Sequence, residues 1–132
     1  MGRVERKSDD AASADYAAAE KQHHAQQHLM SLGAQDLPAV PWRPDPLPPS
    51  AVELTHFALW RLAELGPEDI AQALTLLPAA RSEVDGLEAG LIFAARSEGL
   101  TWAEIAEAMG FKSPQACQQH FTRLATRREK ST

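Results

Sequence analysis

Gly99-Leu-Thr-Trp-Ala-Glu-Ile-Ala-Glu-Ala-Met-Gly110-Phe-Lys-Ser-Pro-Gln-Ala-Cys-Gln-Gln-His-Phe-Thr-Arg-Leu124 reads as two short helices joined by a tight turn. Thr101 is placed as an N-cap, and Glu104 three residues later completes a capping box that satisfies two orphan backbone donors reciprocally. Ile105, Ala106 and Met109 form the apolar stripe of a helix over 102–109, and small Ala106 lets a second helix cross closely. Gly99 closes the helix before, Gly110 supplies the turn, and Phe111 is a large apolar plug beneath it. Ser113 is a favourable N-cap, and Pro114 a favourable first residue because it gives up no useful donor there. The second helix is expected to run from Pro114 to about Arg128.

On that helix Cys117, Phe121 and Leu124 recur at spacings of four and three and share a buried side. Gln115, Gln118, Gln119 and Thr122 then point mostly outward. Glutamine can bond adenine bidentately in the major groove, and Ser or Thr can contact several base edges. Lys112, Arg123, Arg127 and Arg128 are placed to meet phosphates. The alternative is an ordinary helical hairpin whose polar face is merely solvated.

The run Thr-Trp-Ala-Glu-Ile-Ala-Glu-Ala-Met-Gly followed by Ser-Pro-Gln-Ala-Cys-Gln-Gln-His-Phe resembles the tri-helical helix-turn-helix of small bacterial transcription regulators. It is also similar to the DNA-reading region of sigma-type factors. The resemblance covers roughly residues 80–128 and implies that the second helix reads bases, with Ser113, Gln115, Gln118, Gln119 and Thr122 as the readers. The turn through Phe111-Lys112-Ser113 is one residue longer than the shortest turn of the family.

Alanine supplies much of the 44% hydrophobic share and aromatics are only 6%, which suits helices and argues against a sheet. An all-α fold is expected: a helical domain at 50–128 with five short helices, the last three forming the tri-helical unit and the helix-turn-helix at 101–128. An Ala/Gln/His-rich arm at 1–33 and a Pro-rich linker at 34–49 precede it, and a tail at 129–132 follows. A domain of that size has a small core, so dimerisation would be a natural support. The chain shows no apolar run long enough to span a bilayer and no secretory signal, and the default is a cytoplasmic, nucleoid-associated protein. The single cysteine excludes an internal disulfide.

Charge is uneven. Residues 1–49 hold five Lys or Arg against seven Asp or Glu, residues 50–99 three against eight, and residues 100–132 five against three. A net charge of −5 opposes non-specific DNA binding, which is driven by cations releasing counterions. The basic end, however, coincides with the candidate recognition helix.

In the arm, disorder is expected over about the first eight residues. A helix follows that is stable only against a partner, with Tyr16, Leu29, Met30 and Leu32 as its anchors. His24 and His28, with His23 beside them, have a spacing that can chelate a metal. No supporting ligand set accompanies them, and incidental histidines on a solvated helix are the preferred reading. Six prolines between Asp36 and Ser50 enforce an extended segment. Within it, Trp42 is expected to strap the linker to the domain, the alternative being an anchor for a partner's groove.

Ser50 and Glu53 form a second capping box, opening a helix to Gly66 whose face is Leu54, Phe57, Ala58, Arg61, Leu62 and Leu65. Trp60 widens its apolar surface. From Pro67 a helix turns Ile70, Ala73, Leu74 and Leu77 inward and ends at Pro78. A long helix from about Pro78 or Ala79 to Glu98 is expected to bury Val84, Leu87, Leu91, Ala94 and Ala95, with Gly86 and Gly90 permitting close approach of another helix. Glu83, Asp85 and Glu88 read as a solvated acidic face. No nucleophile motif, phosphate loop or paired-carboxylate site is present, so no enzyme, metal or cofactor is expected. Two functions remain: a sequence-specific double-stranded-DNA-binding regulator acting as a homodimer, or a protein-interaction adaptor that uses the arm and the acidic helical surface.

Overall fold

The computed structural model describes the backbone of residues 2–131 and the side chains of residues 9–127. Among these, all regular structure is helical: α1 (Gly2–Ser31), α2 (Ala51–Trp60), α3 (Pro67–Thr75), α4 (Leu77–Ser97), α5 (Trp102–Met109) and α6 (Pro114–Ser131). The chain divides into two compact units, 1–80 and 81–132, so the boundary falls inside α4 and not at the end of the proline segment.

The reason lies in α1. Its last two turns supply Ala25 and Leu29 to a core with Ala34, Leu54, Phe57 and Leu76, while Met30 and Leu32 pack at the edge. The helix is therefore built into the first unit against α2 and α3, and it needs no outside partner for that part. His28 Nε2 reaches Asp69 Oδ1 at 2.7 Å, and Asp69 also accepts from the Gly66 backbone at the start of α3. The Gly66 amide, and next the His28 ring, hold the Asp69 carboxyl below its ordinary range. The helical backbone of α1 runs from Gly2. One expectation for the arm is corrected: Tyr16 is 68% exposed and, like all of residues 9–24 of α1, contributes nothing to the first unit's buried core.

The proline segment is folded down rather than simply extended. Val40 and Arg43 exchange backbone hydrogen bonds around a tight turn. Trp42 at the turn's tip is 81% exposed, so it does not strap the segment. Arg43 does, with only 6% of its surface exposed. Its Nε donates to both Glu53 oxygens at 2.8 and 2.9 Å, one terminal nitrogen donates to Pro38 O at 2.8 Å, and the other reaches Leu47 O at 3.3 Å. Glu53 is meanwhile half of the Ser50 capping box, so one carboxylate ties the segment to the start of α2.

The helix expected to reach Gly66 stops at Trp60 and continues as a single 3-10 turn at Leu62–Glu64. Leu54, Phe57 and Ala58 are buried, whereas Leu59, Trp60 and Leu62 are exposed. Thr75 ends α3 and α4 starts at Leu77, close to the expected start, with Pro78 in its first turn where its fixed φ suits a helix. Leu76, unassigned from periodicity, is the buried residue of that corner. Ile70 and Leu74 line, with Leu59 and Leu62, an apolar groove of about 270 Å³.

In the second unit α4 is rotated from the expected register. Ala89 and Ile92 are buried and Ala95 packs beside Ile92's cluster, while Val84, Leu87, Leu91 and Ala94 face outward. Small Ala89 allows close packing there, and the polar neighbours on that side find partners on α6.

Candidate nucleic-acid interface

The turn between α5 and α6 is built from local signals. Thr101 Oγ1 accepts from the Glu104 amide at 3.1 Å, and Glu104 Oε1 accepts from the Thr101 amide at 3.0 Å. The Thr101 amide, and next the Thr101 hydroxyl that donates to the same carboxylate oxygen at 3.0 Å, hold the Glu104 carboxyl below its usual range. At the other end Gly110 adopts φ 80°, ψ 20°, a left-handed conformation that a side chain would strain. The Phe111 amide then donates to Ala106 O at 2.8 Å, closing α5 as a Schellman motif. Ser113 Oγ accepts from the Ala116 amide at 3.1 Å and caps α6.

Beneath this frame Ile92, Ile105, Ala106 and Cys117 form the core, with Leu100, Trp102, Phe111 and Phe121 packed around it. Leu124 is fully buried one turn beyond Phe121. Trp102 lies against Phe121 with ring centroids 5.8 Å apart, and the Arg96 guanidinium sits 5.1 Å above the Trp102 ring. Met109, expected in the stripe, is more than a third exposed.

Asp85 and Glu88 are not a solvated acidic face. Both are half-buried, and each meets α6. His120 Nε2 stands 2.9 Å from Glu88 Oε1 and must donate, because a carboxylate only accepts. His120 also packs on the Phe111 ring at 5.1 Å. Arg127 approaches Asp85 at 3.8 Å. The expectation missed these pairs because acid–base partners on different helices leave no periodic signal.

Burial pushes the Cys117 thiol up, and the Glu88 charge nearby adds to the rise. The thiol should therefore stay protonated and unreactive. In the folded chain at pH 8 a water-soluble disulfide reagent is expected to modify Cys117 at least about 100-fold more slowly than in denaturant, because reaction waits for local opening. A rate equal to that of a free thiol would show that the α5–α6 core is open.

On the far side of α6 the side chains form one face. At about 100° per residue, Gln115, Gln118, Gln119, Thr122 and Thr126 fall within one stripe about 100° wide. The stripe lies directly opposite Cys117 and Leu124, and all five of its residues are exposed. The longer turn has not rotated the amides inward. Arg123 is exposed along one edge of the stripe, and Lys112 is exposed in the turn before α6. From Gly110 to Arg128 there is no acidic residue.

Two of the expected contact residues are differently placed, and a third has its hydroxyl proton engaged. Ser113 is half-buried with its hydroxyl oxygen committed to the cap. The Thr122 hydroxyl donates to Gln118 O at 3.0 Å, leaving its oxygen as an acceptor. Arg127 lies on the flank with its charge toward Asp85. The Arg128 side chain lies outside the described residues. His23 and His24 are exposed on α1, whereas His28 is held by Asp69. Among the described residues no group of three His, Cys, Asp or Glu side chains is placed to hold a metal ion. Nor is any described helix long and apolar enough to cross a membrane. Comparison with known protein families, curated proteins and solved structures finds no match for this chain.

Proposed function

We propose that the second unit binds double-stranded DNA with α6 in the major groove, and that the chain is a transcription regulator of the helix-turn-helix kind. The observation that carries this reading is the outer face of α6. Three exposed amides and two hydroxyl side chains share one stripe, cations border it, and no carboxylate interrupts it. Amides satisfied by solvent could sit anywhere on a surface helix. Their concentration on the one face that the turn, caps and core hold outward is what a base-reading helix requires.

Direct readers and phosphate contacts should separate experimentally. Duplexes selected from a random pool and tested by fluorescence anisotropy at several salt concentrations provide the measurement. Gln118→Ala is expected to weaken the selected site roughly 10-fold and leave random duplex nearly unchanged, as loss of a bidentate base contact does. Arg123→Ala is expected to weaken all sequences alike and to reduce the salt slope by about 0.9. A chain that binds no duplex even at low salt sinks the proposal.

That outcome would favour the adaptor reading, for which residues 9–24 of α1 speak: every one of them is exposed, just over half of the helix. Its docking element would be this part of α1 alone, because Ala25, Leu29 and Arg43 belong to the first unit's own fold.

A further inference from the structure

The stripe on α6 carries a donor and acceptor pattern as well as a shape. Among the described residues no hydrogen bond engages the side-chain amides of Gln115, Gln118 or Gln119. Each carboxamide therefore keeps its donor group and its acceptor open to solvent. The two threonines differ from them. Thr122 Oγ1 donates to Gln118 O at 3.0 Å, and Thr126 Oγ1 donates to Thr122 O at 2.9 Å. With both hydroxyls turned back to the helix backbone, the methyl group is the part of each side chain left to meet a ligand. Between Gln115 and Thr126 the sequence has no Asp, Glu or Lys, and its single Arg, Arg123, stands about 40° beyond the edge of the stripe.

Resting on the reading of α6 as a base-reading helix, we infer that the pairs it reads are A·T. In the major groove adenine shows a donor beside an acceptor, a pattern that a carboxamide meets with both of its groups. Guanine shows two acceptors, which take the two donors of a guanidinium, and cytosine shows a donor, which takes a carboxylate. The stripe holds neither a guanidinium nor a carboxylate. A glutamine set against guanine would leave its carbonyl oxygen without a donor, which is costly once water is excluded. Thymine presents its C5 methyl group, and a threonine methyl packs against it. Glutamines on adenines and threonine methyls on thymines thus read the two strands of one kind of pair. From Gln115 to Thr122 the stripe rises about 10 Å, the length of roughly three base-pair steps when laid along the groove. The ligand is therefore a duplex with a run of about three A·T pairs under α6.

The test is selection of duplexes from a random pool by the full chain, followed by anisotropy on the selected site with its bases altered one kind at a time. The selected site is expected to hold the A·T run. Replacing its adenines by 7-deazaadenine removes the N7 acceptor and should weaken binding at least about 5-fold. Replacing its thymines by uracil removes only the methyl group and should weaken binding about 3-fold for each base contacted. Gln118→Arg lies at an exposed position, so its helical circular dichroism should be unchanged. A pool selected by that variant should show G·C in place of one A·T pair. Failure of the wild-type chain to bind any duplex at low salt removes the DNA reading and this inference with it. Binding to a selected site whose essential pairs are G·C leaves the DNA reading standing and overturns this inference alone. Full affinity for either modified duplex, or an unchanged selection by Gln118→Arg, does the same.

Discussion

Arg43→Ala should lower the stability of the first unit by about 3 kcal/mol, among the largest effects open to a single polar substitution in this chain. The guanidinium is nearly inaccessible and donates to a carboxylate and two backbone carbonyls at once. Alanine leaves Glu53 with the Ser50 amide but no counter-charge, and it strips Pro38 O and Leu47 O of their donor. Lysine keeps the charge but has one nitrogen for three directions, so Arg43→Lys should recover only part of the loss. Trp42→Ala, next door and exposed, should change stability by less than about 0.5 kcal/mol. Urea unfolding of the three variants checks the order, and a Trp42 effect as large as that of Arg43 would contradict the packing described.

The same pair fixes a pH dependence. Burial tends to raise the Glu53 carboxyl, but the Ser50 amide and the Arg43 guanidinium outweigh it, and the folded value lies below the ordinary one of 4.5. A carboxyl lowered on folding contributes stability above its unfolded value and loses it as pH falls through the folded value. The gap between wild type and Arg43→Ala should therefore be full at pH 7 and shrink below about pH 4.

Residue 43 also shows where sequence stops being informative. The caps at Ser50, Thr101 and Ser113 and the turn at Gly110 were legible because each is decided within four residues, by which side chain can reach which amide. The outer face of α6 was legible for a related reason: Cys117 and Leu124 leave only one way for the helix to turn. Arg43 was not, because its three acceptors converge only after the proline segment folds onto α2. A lone tryptophan among prolines is the more conspicuous residue, yet the turn points it to solvent. The rotation of α4 escaped because apolar residues occupy both of its sides. Periodicity finds a stripe at Val84, Leu87 and Leu91 but cannot say whether that stripe or the smaller one at Ala89 and Ile92 meets α5 and α6. The deciding information is on α6, where His120 and Arg127 stand opposite Glu88 and Asp85.

Leu124→Ala is the counterpart in the second unit, and it separates folding from recognition. Leu124 is fully buried, so truncation removes its transfer free energy and leaves a cavity that neighbours only partly refill, about 3 kcal/mol in all. A unit of 81–132 has little reserve, since so short a segment buries a small core. Its thermal transition should fall by about 10 °C or more, or vanish from the accessible range. The stripe residues Gln118 and Thr122 are untouched by the change, yet their common orientation depends on α6 being held by that core. DNA affinity in Leu124→Ala should therefore fall for selected and random duplexes together, in proportion to the unfolded fraction, and should recover on cooling. Gln118→Ala should instead lose affinity for the selected site only, at an unchanged transition temperature. If Leu124→Ala unfolds the second unit and duplex binding persists undiminished, the amide face of α6 is not what holds the DNA.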